Sequence, residues 1–315
     1  MDNKRRFLLT HYDLDGVAAD ILMSNMYMFE KKHMCGYAKI KEKIDNGELS
    51  GYDSGVITDV SLAPEQFSFI SKEYKDKLLY IDHHKPSINA VSNNEYKSTC
   101  VVDTTFSASG LIFQTFFKKL KKVPHVVDFV IAVDAYDMWR IDTNIDNFKK
   151  GYDLNVLFWK YGYFDFYDRF FDNMSFNFSS TEKKYISDHK KERDDHIIHS
   201  DKTDFGNNSL LVLDAPADYV NDFTIQLPDY DIYFMVCTTR EGTLTLSMRS
   251  KLNGVESDLG NVAKNAKNMF DYIISAGGHP KAAGIDFFEN TSIDDILTVV
   301  EYVNDTMEAN ELIPF

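Results

Sequence analysis

The chain has 315 residues, 44% hydrophobic and 26% charged, with a formal net charge of −15. That is enough apolar sequence for two packed domains and too much for disorder. The acidity argues against a broad basic footprint for duplex DNA or long RNA. It leaves a small phosphorylated substrate open, because bound divalent cations reverse the local field. No apolar run reaches membrane-spanning length and the first residues offer no signal-peptide core. Cys35, Cys100 and Cys237 are odd in number and scattered, so the expected compartment is the reducing cytoplasm, with no membrane partner.

Phe7-Leu8-Leu9-Thr10 reads as a strand ending at His11, and Gly16 turns the chain into a helix expected over 17–32. Gly55-Val56-Ile57-Thr58 is a second strand, ending at Asp59. Leu78-Leu79-Tyr80-Ile81 is a third, ending at Asp82-His83-His84. Residues 99–102 read as a fourth strand and 107–120 as a helix, and Pro124 suits the first turn of another running through Phe129 to Asp134. Strands alternating with helices imply an α/β fold with a mostly parallel sheet, whose ligand site lies beyond the carboxyl ends of the strands. The polar clusters fall at those ends.

Residues 180–200 read as a charged, exposed helix linking two domains. Strands are expected after it at 209–213, 232–238 and 243–248, the last two joined by a hairpin at Glu241-Gly242, and a helix over 261–272 precedes Gly277-Gly278-His279-Pro280.

His11, Asp13 and Asp15 alternate, so in an extended segment all three would converge on one cavity. Two adjacent carboxylates repel unless cations sit between them. The bland alternative makes one of them only the cap of the following helix. His83 and His84, adjacent on a strand, would face opposite sides and serve different roles. Asp59 alone is a weak signal. Asp134, inside an apolar helix, would be a costly buried charge unless paired or metal-bound, and Asp137 one turn on is its rival. Hard oxygens with imidazoles point to a metal-assisted hydrolase. His33, His125, His189, His196 and His199 are expected at the surface or between helices, and the aromatic run 161–167 in the core rather than as a base-stacking platform, with room for a single stacking aromatic.

These residues resemble the DHH phosphoesterase family. His11-Tyr12-Asp13-Leu14-Asp15-Gly16 looks like its first motif, Asp59 its second, Asp82-His83-His84 its signature and Asp134 its fourth. Leu246-Ser247-Met248-Arg249-Ser250 and the run from Ala276 to Gly284 look like the two motifs of the associated DHHA1 domain, with Ala276 where the glycine run usually begins. The resemblance implies a catalytic DHH domain at 1–180, a helical linker at 181–204 and a smaller α/β DHHA1 domain at 205–315, with the active site in the interdomain cleft. It implies two divalent ions, manganese first, with magnesium or cobalt as alternatives. His11, Asp13 and Asp59 would hold one ion; Asp15, Asp59, His83 and Asp134 the other, with Asp59 bridging. His84 would meet the scissile phosphate, Asp82 would orient the histidines, and Arg249, Gly277, Gly278 and His279 would bind the substrate.

The spacing of the first motif is similar to the oligoribonuclease (nanoRNase) and cyclic-nucleotide phosphodiesterase branch. The implied activity is hydrolysis of short oligoribonucleotides, linear dinucleotides or cyclic mononucleotides to nucleoside monophosphates by metal-activated water. Within the same family, a 3′-phosphoadenosine 5′-phosphate phosphatase or a single-stranded DNA exonuclease remains open. From another class, so does an inactive nucleotide-binding sensor. A homodimer is allowed by the resemblance, and long duplex nucleic acid is not expected.

Overall fold

The computed structural model describes residues 4–92, 98–141, 143–216, 219–238, 242–252 and 258–311. The chain divides into two compact units, residues 1–186 and 187–315.

The first unit opens with β1 (Arg6–Thr10), α1 (Leu14–Ser24), β2 (Lys31–Met34), α2 (Tyr37–Asp45), β3 (Ser54–Thr58), α3 (Pro64–Tyr74), β4 (Leu78–Asp82), α4 (Lys85–Ser92) and β5 (Thr99–Val102). The strands form one sheet in the order β2-β1-β3-β4-β5, every pairing parallel. Parallel strands need covered faces, and the central ones accordingly read as near-continuous apolar runs. Phe7, Leu9, Ile57 and Tyr80 pack on one side with Phe67 and Ile70 of α3. Helices α5 (Ala108–Thr115), α6 (Phe117–Leu120), α7 (Val126–Asp137) and α8 (Ile145–Phe171) follow. Because β1, β3 and β4 are parallel, Thr10, Thr58 and Asp82 all end at one edge, and the residues after them gather there.

Several local expectations shift. The helix expected over 17–32 stops at Ser24, where the Asn25 amide group donates back to the Ile21 carbonyl at 2.9 Å. Residues 31–34 are instead the edge strand β2. It is short and lysine-bearing, as exposed edges are. Lys32 reaches the buried Asp20 carboxylate at 2.8 Å and lies 3.9 Å from the Tyr167 ring centre. His33 is buried in this strand, against the surface or interhelix position expected for it. The helix expected over 107–120 breaks at Phe116, and Pro124 precedes α7, with His125 in a left-handed turn between them.

The helix α9 (Ser180–His199) carries the division between units, and the second unit continues with β6 (Asp201–Phe205), β7 (Ser209–Leu213), α10 (Val220–Gln226), β8 (Ile232–Thr238), β9 (Leu244–Ser250), α11 (Leu259–Met269), β10 (Ile273–His279), β11 (Ala282–Phe287) and α12 (Ile293–Glu311). Its sheet is mixed, in the order β10-β11-β9-β8-β7-β6, with β7–β8 the one parallel pair among the described strands. Ile296, Val299, Val300, Val303 and Met307 of α12, at helical spacing, cover one face with Phe234, Leu246 and Ile285. The antiparallel β8–β9 pair matches the expected hairpin, although residues 239–241 at its turn lie outside the described residues.

Candidate metal centre

The first motif begins where β1 ends. Asp13 is the N-cap of α1, its Oδ1 accepting from the Gly16 N–H at 2.8 Å, while Oδ2 lies 2.6 Å from His11 Nδ1. Asp15 already lies in the first turn of α1, so these three side chains converge through a strand-to-helix turn rather than along an extended segment. Asp13 is therefore both cap and donor. Gly16 is required by proximity: a Cβ there would fall 2.1 Å from the His11 carbonyl oxygen. Asp15 is buried, and its oxygens accept from the Ala108 and Ser109 N–H groups at 2.8 and 3.1 Å. Those are orphan donors at the N-terminus of α5, a natural seat for a carboxylate.

Asp59 follows β3 with φ 55°, and its N–H extends the ladder to the Ile81 carbonyl at 3.0 Å. Aspartate tolerates this left-handed region better than most residues, and it turns the carboxylate off the strand direction. His83 Nε2 stands 3.3 Å from Asp59 Oδ1 and 3.6 Å from Asp137 Oδ2. β4 ends at Asp82, so His83 and His84 lie beyond the regular strand, and their ring centres are 4.3 Å apart rather than on opposite faces. Asp82 is fully buried. Its Oδ1 lies 2.7 Å from His84 Nδ1, and its Oδ2 accepts from the Ser87 and Tyr80 hydroxyls.

Among the described residues, three groups place donor atoms within 4.8 Å of one another: His11, Asp13 and Asp59; Asp15, His83 and Asp137; and Asp59, Asp82, His83 and His84. Asp59 belongs to two of them, which suits a bridging position. Asp134 joins none. Its oxygens accept from the Ser107 N–H at 2.7 Å and Arg140 Nε at 2.8 Å, beside a cavity of about 470 Å³ between α5 and α7. Asp137 stands where the sequence reading put Asp134. Three residues along a helix means roughly 4.5 Å of rise and about 60° of rotation, which separates a carboxylate aimed at the cluster from one aimed beside it. Asp137→Ala should then lower kcat on the order of 10²–10³-fold, and Asp134→Ala should act mainly on folding by stranding Arg140. Steady-state kinetics beside urea unfolding of both variants separates the two effects.

The electrostatics favour cations. Burial raises the Asp59 and Asp137 carboxyls well above the ordinary range, and the neighbouring carboxylates add to it. Burial likewise lifts Asp15 to about 6, against the hydrogen bonds of Ser109. Asp13 goes the other way: burial opposes ionisation, but the His11 hydrogen bond and charge bring it to about 2. Asp82 is lowered too, with burial outweighed by its bond to His84. Asp59 Oδ2 and Asp137 Oδ2 are buried without a hydrogen-bond partner. Unpartnered buried carboxylate oxygens beside imidazoles fit divalent ions of the Mn²⁺ or Mg²⁺ kind, and Asp59, His11, Asp13, Asp15, His83 and Asp137 are the residues placed to hold them.

In the second unit, Arg249 lies on β9 opposite Ala282, its guanidinium donating to Asn221 Oδ1 at 2.8 Å and the Met248 carbonyl at 2.8 Å. Gly277 and Gly278 belong to β10, paired with Gly284 and Ala283. Packing and backbone both account for Gly278: a Cβ there would meet the Ala282 oxygen at 2.3 Å, its φ of 143° is one that L side chains rarely adopt, and its own carbonyl seats against Gly260. Gly278→Ala should cost roughly 1–3 kcal/mol in urea unfolding through that overlap. His279 ends the same strand, paired with Ala282, and its side chain lies outside the described residues. Among the described residues no helix is long and apolar enough to cross a membrane.

No family model matches the chain, and no curated protein matches it. Solved structures do. The DHH domain of a member of a ribosomal-protein family aligns at 14% identity and TM-score 0.64, over 99% of this chain and 88% of that one. The pGpG-specific phosphodiesterase PggH of Vibrio cholerae aligns at 13% identity and TM-score 0.56, over 98% and 100%. RecJ of Thermus thermophilus, in complex with Mn²⁺, aligns at 13% identity and TM-score 0.53 over 99% of this chain, which spans about half of RecJ (52%). At such identities the likeness establishes the architecture: the chain has the α/β fold of DHH-domain proteins, a five-stranded parallel sheet followed by a second, mixed sheet.

Proposed function

We propose that the protein is a metal-dependent phosphoesterase that hydrolyses short oligoribonucleotides, linear dinucleotides foremost, to nucleoside monophosphates. The observation that carries this reading is Asp59, shared by two donor groups and holding a buried oxygen without a hydrogen-bond partner. Two divalent ions, manganese by preference, would supply an activated water and neutralise charge on the phosphate.

The chain's own residues set the geometry. Asp59 shares one donor group with His11 and Asp13 and another with Asp82, His83 and His84, and His83 in turn groups with Asp15 and Asp137. The α5 N–H groups fix the Asp15 carboxylate in place. Asp82 holds the His84 ring through Nδ1, and His84 is the residue assigned to the scissile phosphate. Arg249, Gly277, Gly278 and His279 of the second unit are assigned to the far end of the substrate. An acidic chain with one cation-dependent site suits a short substrate, because a long one needs a basic track. PggH, a phosphodiesterase specific for pGpG, and RecJ, solved with Mn²⁺, share this fold and lend the reading its substrate class and its metal.

Product analysis tests it. The purified protein with Mn²⁺ is given an RNA 2-mer, 5-mer and 24-mer, a DNA 5-mer, cyclic AMP and 3′-phosphoadenosine 5′-phosphate, beside an Asp13→Ala/Asp15→Ala control. Monophosphates from the short RNAs, absent in the control, are expected. Turnover confined to the DNA or to 3′-phosphoadenosine 5′-phosphate would move the substrate within the family. Binding without turnover of any of them would make the protein a nucleotide sensor.

A further inference from the structure

Tyr12 lies between His11 and Asp13 in the chain, so its backbone is one residue from two donors of the candidate metal centre. It is 39% exposed and packs against Phe158, Trp159 and Tyr163 of α8 at ring-centre distances of 5.7, 6.3 and 5.9 Å. α8 breaks at Gly162 (φ 71°, ψ 179°), so Tyr12 touches residues on both sides of the break. Phe158 and Tyr163 form a buried underlayer. Phe158 meets Phe166 edge-on at 5.7 Å, and the Tyr163 hydroxyl donates to buried Asp20 at 2.7 Å.

On that underlayer, aromatic surface is left open to solvent. Trp159 is 54% exposed and Phe164, against Tyr163 at 5.8 Å, is 73% exposed. The run 161–167 is thus core on one face only, where the sequence reading favoured core and left room for a single stacking aromatic. Aromatic rings left in water forgo the burial that usually places them, so such a patch marks a surface that is covered in function. Its position decides what covers it. Tyr12 joins these rings to the tripeptide that carries His11 and Asp13, and a nucleotide joins a flat apolar base to a phosphate. Stacking is also how a chain of net charge −15 can hold nucleic acid without a basic track.

We propose that Tyr12, Trp159 and Phe164 form a stacking platform for one nucleobase of the substrate, beside the candidate metal centre. This rests on the nucleotide substrate proposed above and adds a specificity element to it: the site selects phosphodiesters that carry a base at that position, whatever the base.

The test uses the full chain, a dinucleotide with a non-hydrolysable methylenephosphonate linkage, and its abasic counterpart. Fluorescence of Trp159, taken as the difference between the unmutated protein and Trp159→Phe, is expected to be quenched freely by acrylamide before ligand. Protection should follow addition of the dinucleotide but not of the abasic analogue. Trp159→Leu, which keeps apolar bulk without a stacking face, should weaken dinucleotide binding about 10-fold or more, with Trp159→Phe near the unmutated value. In turnover, Trp159→Leu should lower the kcat/KM ratio of dinucleotide over abasic substrate by a similar factor, through KM. Trp159 already shielded in the free protein would mean that protein covers the patch, and would overturn the platform; so would an unchanged ratio in Trp159→Leu. If nothing is hydrolysed while base-dependent protection persists, the phosphoesterase reading falls and the platform stands. If dinucleotides are hydrolysed and the ratio is unchanged, the platform alone falls.

Discussion

Asp59→Asn is expected to abolish turnover, with a loss on the order of 10³-fold or more in kcat, whereas Asp82→Ala should lose only about 10- to 100-fold. The ranking follows from what surrounds each carboxylate. Asp82 has both oxygens occupied by His84, Ser87 and Tyr80, which makes it a positioning residue for His84. Asp59 has one oxygen beside His83 and the other buried without a hydrogen bond, at the point where two donor groups meet. Asparagine is the right replacement because it accepts the left-handed φ of 55° at this position, so the backbone is kept and the charge alone is removed. Asp82→Ala should also lower stability by about 1–3 kcal/mol, since the buried Ser87 hydroxyl loses its bond to the carboxylate while Tyr80 keeps the Val60 carbonyl. Kinetics at saturating Mn²⁺, with chemical unfolding of both variants, reads the two effects apart. A larger kinetic loss in Asp82→Ala would mean that the bridging position has been assigned to the wrong residue.

Saturating metal should raise the melting temperature of the protein, and by more at pH 7 than at pH 5. At a free concentration 100 times Kd, one bound ion contributes about 2.7 kcal/mol, or roughly 5–10 °C for a unit of this size. The pH dependence comes from carboxyls held above their unfolded values. Asp15 is raised by burial to about 6, and burial also raises Asp59 and Asp137 well above the ordinary carboxylate range. Without metal, the folded state keeps protons that the unfolded chain releases near pH 4, so these groups lose stability for the fold as pH rises through 4 to 6 and beyond. His11, raised by Asp13 against the opposing effect of burial, acts in the same direction. Asp13 and Asp82, held below the ordinary range, contribute stability that is lost only at still lower pH. Metal binding replaces the protons and removes the repulsion, so its gain grows with pH. Differential scanning fluorimetry at pH 5, 6 and 7 with and without Mn²⁺ should show this. A metal-induced shift that is flat across that range would argue against carboxylates as the binding groups, and Asp15→Asn should reduce the slope.

The features legible in the sequence were local and periodic. Strands at 7–10, 55–58 and 78–81 are apolar runs that a buried parallel sheet demands, and each ends where a polar residue interrupts it, so the placing of His11, Asp59 and Asp82-His83-His84 at one edge could be read directly. The hairpin of β8 and β9 and the charged helix α9 were legible for the same reason, from alternation and composition. Contacts distant in sequence settled the rest. Residues 31–34 form a strand because β1 offers a free edge and Asp20 a partner for Lys32, neither visible locally. Asp137 rather than Asp134 joins the donor groups because the axial rotation of α7 is set by packing against α5 and α8. Arg140 and the Ser107 N–H then claim the other carboxylate. Both carboxylates lie in one apolar helix with little hydrophobic asymmetry, so only the neighbours of that helix could tell them apart.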